Sequence, residues 1–338
     1  MTEHEREIDV LIRARYPILY IVSFEEERVE RSLRKIARLR GKEIITWSIT
    51  EGFDGVIPPR RSRNQSALEL DMALDALDYV LHWTPPQGSE SNGALFVLKD
   101  FDPYIAAPSV ERKLRDVARA LKATRKTLII LSPILKIPPH LEKTITVVDY
   151  QLPTFEELKQ IFENMLRQVQ ENPNVRIQLD DTSLELFVKA ALGLTAEEAE
   201  NVFAKALVKD GRLERVDVQE VLSEKKQIIR KSGILEYYET DIQFSDLGGL
   251  DLLKDWLRKR KRAFTEKARA FGLPEPRGVL LIGVQGCGKS LTAKAVASLW
   301  ELPLLRFDVG SVFAKYVGES EANIRRAIQV AESIAPCV

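Results

Sequence analysis

Gly283-Val-Gln-Gly-Cys-Gly-Lys-Ser290 decides how the last third of the chain is read. The stretch fits the pattern G-x-x-x-x-G-K-[ST], with a short apolar run, Gly278 to Ile282, before it and a helix-forming stretch, Ser290 to Trp300, after it. Strand, glycine-rich turn and helix in that order are what a phosphate-cradling loop requires. Successive backbone N–H groups can curl around an anion only where no Cβ intrudes and positive φ is allowed, which is the use of Gly283, Gly286 and Gly288. The amides of Val284, Gln285 and Cys287 complete the turn, and the helix opening at Ser290 and Leu291 adds free N–H groups and its dipole. Lys289 is placed to meet the β- and γ-phosphates as a point charge, and the Ser290 hydroxyl to ligate Mg²⁺. The expected ligand is a nucleoside triphosphate, ATP with Mg²⁺.

Working outward, the 338 residues are too many for one core and enough for two or three domains. Lys plus Arg (50) balances Asp plus Glu (50), so no global field draws the molecule to nucleic acid or to an anionic membrane. The basic run Arg258-Lys-Arg-Lys-Arg262 has few aromatic neighbours to stack on bases and reads as a solvated helix face. The two cysteines, Cys287 and Cys337, fit a reducing compartment, since a bridge at Cys287 would block the loop. Three histidines and two cysteines at unrelated spacings supply no zinc ligand set. The charged N-terminus, Met1 to Arg15, and the lack of any apolar run near the roughly 18 residues of a membrane span lead to the expectation of an unprocessed, soluble protein with no membrane insertion.

Residues 1–151 alternate short apolar runs with amphipathic stretches, the rhythm of an α/β domain with a parallel sheet covered by helices on both faces. Strands are expected at Ile18 to Ser23, Glu43 to Ile49, Ala94 to Leu98, Thr127 to Leu131 and Thr144 to Val148, and helices at Glu25 to Arg40, Ser66 to His82 and Val110 to Ala123. The stretch Trp83 to Gly93 reads as an exposed loop. Residues 152–236 read as helices only: Phe155 to Val169, Thr182 to Ala191, Ala196 to Asp210 and Val218 to Lys231. The third opens on a capping box, Thr195 with Glu198. Ser232 and Gly233 end this bundle and Glu236 to Thr240 reads as a polar connector. In residues 237–338 a second α/β unit begins, with a basic helix over Trp256 to Phe271, a buried strand at Gly278 to Ile282, the helix Ser290 to Trp300, a strand at Leu304 to Val309 and a helix at Glu321 to Ala331.

Two further motifs make the resemblance specific. Phe244-Ser-Asp-Leu-Gly-Gly-Leu250 resembles the opening segment of AAA+ ATPases, and the resemblance implies that backbone groups near Asp246 and Gly248 meet adenine. Ala314-Lys-Tyr-Val-Gly-Glu-Ser320 is similar to the first pore loop of hexameric AAA+ remodelling machines, which implies that Tyr316, with Lys315, Val317 and Gly318 around it, grips a polypeptide in the central channel. In the same family a segment like Ala335-Pro-Cys-Val338 leads into the Walker B strand. The chain is therefore expected to stop before the Walker B carboxylates, sensor 1 and the arginine finger, and to bind nucleotide while hardly hydrolysing it, since the finger alone is worth about 10³ to 10⁵ in rate.

The first α/β unit resembles an AAA+ module whose chemistry is missing. Phe24-Glu-Glu-Glu-Arg28 stands at the phosphate-loop position without glycine or lysine, and its carboxylates suit a helix start but repel a triphosphate. In Leu95-Phe-Val-Leu-Lys-Asp100 Lys99 replaces the magnesium-binding aspartate, and a lysine cannot ligate Mg²⁺. Ser132 to Gln151 contains no arginine, and Gly193 to Asn201 offers acids where a phosphate contact needs a cation. The whole plan, a degenerate module and helical lid before an incomplete P-loop core, resembles the AAA+ proteins encoded by hypothetical reading frames of algal chloroplast genomes and their cyanobacterial counterparts. It implies a cytoplasmic or stromal ATPase with a part in regulating photosynthesis or inorganic-carbon use. Two functions stay open: a ring-forming machine that remodels a protein partner, or a nucleotide-gated assembly protein whose N-terminal module docks a partner without threading it.

Overall fold

Strands buried on both faces need apolar side chains at every position, because successive residues point to opposite sides. Ile18–Val22 meets that demand and becomes β1 at the interior of a sheet. Ile18 and Tyr20 face one core, shared with Phe96, Phe101, Leu114 and Ile130, while Leu19 and Ile21 face the other, shared with Ile8, Val29, Leu33 and Val148. The structure, a computed structural model, describes residues 1–53, 65–88, 91–170, 176–177, 179–208, 212–231, 235–238, 244, 247–264, 268, 271–274, 276–300, 302–307, 324, 327–328, 330–332 and 337–338. It divides into two units, Met1–Gln151 and Leu152–Val338. Among the described residues no helix is long and apolar enough to cross a membrane.

In the first unit the chain runs α1 (Glu3–Arg13), β1, α2 (Glu26–Arg40), β2 (Glu43–Ser48), β3 (Gly52–Phe53), α3 (Gln65–His82), β4 (Ala94–Lys99), α4 (Asp102–Ile105), α5 (Pro108–Leu121), β5 (Thr127–Ser132) and β6 (Ile145–Asp149). The sheet order is β3-β2-β4-β5-β1-β6. All neighbours are parallel except the short β3 against β2. In register, Tyr20 lies opposite Ile130 on β5 and Val147 on β6. Residues of α1 and α2 belong to one core and residues of α3 and α5 to the other, so the sheet is covered on both sides as the sequence rhythm predicts.

Helix α1 was not foreseen, because the charge of the N-terminal segment masked its signal. Thr2 and Glu5 form a capping box, with the Glu5 amide donating to Thr2 Oγ1 at 3.4 Å and the Thr2 amide to Glu5 Oε2 at 2.9 Å. Glu5 also accepts from Lys35 Nζ at 2.8 Å and from the Ser32 hydroxyl at 3.1 Å, so one carboxylate both starts α1 and ties it to α2. Asp9, a turn later, takes a two-pronged contact from Arg40, 2.6 Å on each arm.

The second unit opens with helices α6 (Phe155–Gln170), α7 (Asp181–Ala191), α8 (Ala196–Val208) and α9 (Val218–Lys231), with the two-residue strands β7 (Arg176–Ile177) and β8 (Arg212–Leu213) paired in parallel between them. Phe162 anchors the bundle, its ring 5.3 Å from Phe187 and 4.5 Å from Phe203. The capping box expected at the start of α8 is present, with the Thr195 amide donating to Glu198 at 2.9 Å and the Glu198 amide to Thr195 at 3.2 Å. Beyond the bundle come β9 (Leu235–Tyr238), α10 (Asp251–Lys261) followed by a 3₁₀ turn (Arg262–Phe264), α11 (Lys289–Trp300) and β10 (Leu304–Phe307).

Three expectations are corrected here. The described part of the polar connector is a strand, β9, pairing antiparallel with β10 so that Leu235 meets Phe307 and Tyr238 meets Leu304. A long-range partner 70 residues away, the Arg306–Glu236 pair at 3.4 Å among its contacts, overrides the local polar pattern. The basic helix begins at Asp251, not Trp256, and stops at Lys261. Gly249 and Leu250 hold left-handed φ of 64° and 58° just before it. Asp251 in its first turn and Arg258 to Lys261 in its last complement the helix dipole. Finally, residues 278–282 are neither strand nor buried: Leu280 is 84% and Ile282 87% exposed. A central strand exists only where neighbours pair with it on both sides, and the described residues place none beside this run. The helix expected at Glu321 to Ala331 lies mostly outside the described residues.

A stability test follows from Glu5. Burial pushes its carboxyl up, but the Lys35 hydrogen bond, the Thr2 amide and the Ser32 hydroxyl outweigh burial and hold it below the ordinary value of 4.5. A depressed pKa contributes stability that is present above 4.5 and is lost as pH falls through the lowered folded value. Glu5→Gln should cost about 1–2 kcal/mol in urea unfolding at pH 7, with the gap to the parent closing below pH 4.5.

Candidate functional site

Helix α11 begins at Lys289 because the preceding turn can be made only by residues tolerant of positive φ. Gly286 and Gly288 have φ of 84° and 86°, and a Cβ on either would stand in open space, so it is the backbone conformation that demands glycine there. A Cβ on Gly283 would approach Cys287 Sγ to 2.5 Å. The turn closes with the Cys287 amide 3.4 Å from the Val284 carbonyl, and the Thr292 amide (2.8 Å) and hydroxyl (3.0 Å) both donate to the Gly288 carbonyl. Buried Thr292 thus fixes the junction of loop and helix, a role the sequence pattern did not reveal.

Lys289 folds over the loop instead of into the protein interior. Its Nζ donates to the carbonyls of Gly283 at 2.8 Å and Val284 at 2.6 Å and lies 3.6 Å from Cys287 Sγ. Gly283 to Cys287, Ser290 and Leu291 are exposed and Gly288 and Lys289 half-buried. The ammonium therefore crosses the mouth of the turn, held by two carbonyls that an anionic ligand could replace. Positive-φ glycines, the N-terminus of a twelve-residue helix and a lysine ammonium are a donor set suited to a polyphosphate, and Ser290 sits in the helix's first turn where a magnesium ligand would be needed. Val279, Leu280, Ile282 and Val284 stay exposed beside it.

Gly248 lies exposed in the turn before α10. Asp246 and the pore-loop residues Lys315, Tyr316, Val317 and Gly318 lie outside the described residues. The basic run at the end of α10 is exposed, with Arg258 over the Phe244 ring at 5.5 Å and Arg260 over Trp256 at 5.2 Å.

The equivalent corner of the first unit, from β1 into α2, carries a different chemistry. No glycine turn is present. The Ser23 hydroxyl accepts from the Glu25 amide at 3.0 Å, and Arg28 Nη1 donates to Glu25 at 2.7 Å and to the Gln151 carbonyl at 2.7 Å. At the end of β4 the Lys99 ammonium pairs with Glu30 and lies 3.5 Å from Glu26. Burial alone would lower the Lys99 pKa, but the Glu30 hydrogen bond and charge, with Glu26 beside it, hold it above the ordinary value. Ser132, ending β5, donates to Asp102 at 2.8 Å. Among the described residues no buried side-chain nitrogen or oxygen lacks a partner. This corner is filled by the protein's own ion pairs.

Residues 4–150 match the family model for the N-terminal domain of SpoVK-like AAA ATPases, residues 156–232 that for their second domain, and residues 279–338 that for the ATPase family associated with various cellular activities (AAA). The chain is 39% identical to an uncharacterized AAA domain-containing protein, ycf46, of Trieres chinensis over 98% of its own length and 64% of that protein's. It is also 39% identical to the ycf46 protein of Guillardia theta, over 98% of this chain and 63% of that one. A more distant likeness, 27% over 56% of this chain and 19% of the other, is to the peroxisomal ATPase PEX6 of Pichia angusta. The chain thus spans a little under two thirds of the length of the ycf46 relatives it matches. With the sheet, the loop and these matches together, the chain belongs to the AAA ATPase family.

Proposed function

We propose that the chain binds ATP with Mg²⁺ at residues 283–291 and that the complete protein is a ring-forming ATPase acting on a protein partner. The observation that carries this reading is the Lys289 ammonium poised on two loop carbonyls, 2.8 and 2.6 Å away, above a turn whose glycines leave the amides uncovered. In the proposed complex Lys289 and the loop amides hold the phosphates, Ser290 the metal, and backbone near Asp246 and Gly248 the adenine. ATP supplies the phosphoanhydride bond whose cleavage would drive the machine. Tyr316, with Lys315, Val317 and Gly318, is proposed as the grip on a polypeptide, and domain boundaries near residues 151 and 236 as the joints between modules. The likeness to ycf46 proteins of Trieres chinensis and Guillardia theta supports the proposed setting, the cytoplasm or the plastid stroma; a part in photosynthesis or inorganic-carbon use is proposed from the family resemblance. No nucleic-acid partner is proposed.

A second reading, a nucleotide-gated assembly protein that docks a partner through residues 1–236 without threading it, is favoured by the internally paired corner of the first unit, where Arg28, Lys99 and Glu30 support a rigid scaffold.

Three measurements test these readings. Lys289→Ala should raise the ATP dissociation constant at least about 100-fold in titration calorimetry, the scale of losing charge-assisted hydrogen bonds; unchanged affinity would refute the assignment. Cys287 is exposed and Cys337 half-buried, so maleimide should label Cys287 first, and saturating Mg²⁺·ATP should slow that labelling. In the complete protein, Tyr316→Ala should abolish ATP-driven unfolding of a partner while leaving ATP binding intact. Retained unfolding would favour the docking reading.

A further inference from the structure

The amino ends of the first unit's strands, opposite the corner where an α/β sheet ordinarily places its ligand, carry an uncompensated concentration of positive charge. A cleft of about 200 Å³ is lined there by Arg13 and Arg15 from the end of α1, Arg40 and Lys42 from the turn between α2 and β2, Asn92 before β4 and Arg125 before β5. One carboxylate, Asp9, serves both Arg40, at 2.6 Å, and Arg13, at 4.0 Å. Among the described residues no carboxylate pairs with Arg15, Lys42 or Arg125. Lys126 also lines the cleft, but its ammonium turns to the carbonyls of Val80 and Leu81, 2.9 Å each.

Two of the three cations are held in place by uncharged groups. Lys42 donates to the Arg125 carbonyl, and Arg125 Nη1 donates to Asn92 Oδ1 at 2.8 Å. An ammonium has three protons and a guanidinium five, so most of their donors are left for a ligand. Burial, and then the charges of Arg125 and Arg15, push the Lys42 pKa down, which is the penalty that an anion in the cleft would relieve.

Arg15 adds a second, independent observation. It holds a left-handed φ of 59° just past the end of α1, where its amide returns to the Ile12 carbonyl at 3.1 Å. The matching position after α2 is Gly41, with φ of 58°. Two helices end in the same turn, one with the residue that turn prefers and one with an arginine that strains it. A strained backbone at a charged residue points to a use for the side chain.

We infer that this cleft binds an oxyanion of the phosphate class, free or as the phosphoryl group of a small molecule, through Arg15, Lys42 and Arg125. Guanidinium pairs match the oxygens of phosphate two at a time. The cleft is smaller than the roughly 300 Å³ at which pockets begin to take drug-sized ligands, so it suits a phosphoryl group and not a whole nucleotide. This inference is independent of the nucleotide loop.

The test uses the full chain carrying Lys289→Ala, so that phosphate taken up by the nucleotide loop does not enter. Inorganic phosphate and phenyl phosphate are titrated in a chloride buffer at constant ionic strength, by calorimetry and by thermal shift. Saturable binding of one equivalent is expected, weakened about tenfold or more by Lys42→Ala or Arg125→Ala, the scale of one charge-assisted contact. Arg112→Ala, on an exposed pair with Asp116, should leave it unchanged. Binding of phosphate but not the ester identifies the free anion, and binding of both admits a phosphorylated molecule; either supports the inference. Arg15→Gly separates fold from function, because it should raise the melting temperature by relieving the left-handed arginine and yet weaken phosphate binding. The inference is overturned if no saturable binding occurs, if Arg15→Gly binds as the parent does, or if sodium chloride alone reproduces the thermal shift.

Discussion

The pairing of β1 with β5 on one side and β6 on the other places the first strand inside its sheet, and the geometry of the first unit depends on that placement. An inner strand is buried on both faces, which is why Leu19, Tyr20 and Ile21 are fully buried. It also brings the end of β1, at Ser23, beside the end of β5, at Ser132, whose carbonyl accepts the Ser23 amide at 3.2 Å. The same parallel pairing gathers the beginnings of β1, β2, β4 and β5 at the opposite end. A parallel sheet thus has two chemically distinct ends, and this unit has filled one with ion pairs and lined the other with cations.

The starts of α2 and α11 meet the same backbone requirement differently. A helix leaves its first N–H groups without intrahelical partners. At the start of α2 the Ser23 hydroxyl takes the Glu25 amide, and Glu25, Glu26 and Glu30 collect Arg28 and Lys99. Before α11 stands a turn with positive-φ glycines, and Lys289 reaches the loop's own carbonyls and lies near the thiol of Cys287. The first arrangement is filled by its own ion pairs, and the second leaves its glycine turn exposed. The two helix starts therefore differ in their electrostatics, set by a handful of side chains.

Much of this was legible in the sequence, because the relevant physics acts over a few residues. The β-branched runs at 18–22, 94–99 and 127–132 announce doubly covered strands, Thr195 and Glu198 announce the start of α8, and Gly286 and Gly288 announce a turn that other residues strain to make. The same local logic holds for α1, where Thr2 and Glu5 form a capping box within a strongly charged segment. That Lys99 could not ligate a metal was also readable from its type alone.

What the tertiary structure decided is which distant groups meet. No local pattern tells that Lys99 ends between Glu26 and Glu30, that residues 235–238 pair with 304–307, or that Arg15, Lys42, Asn92 and Arg125, from four separate turns, line one cleft. Nor could the apolar run at 278–282 report whether partner strands lie beside it. Sequence fixes the preferences of a backbone segment and the charge it carries; strand order and register fix the distances between segments, and both pairing and electrostatic interaction are functions of those distances.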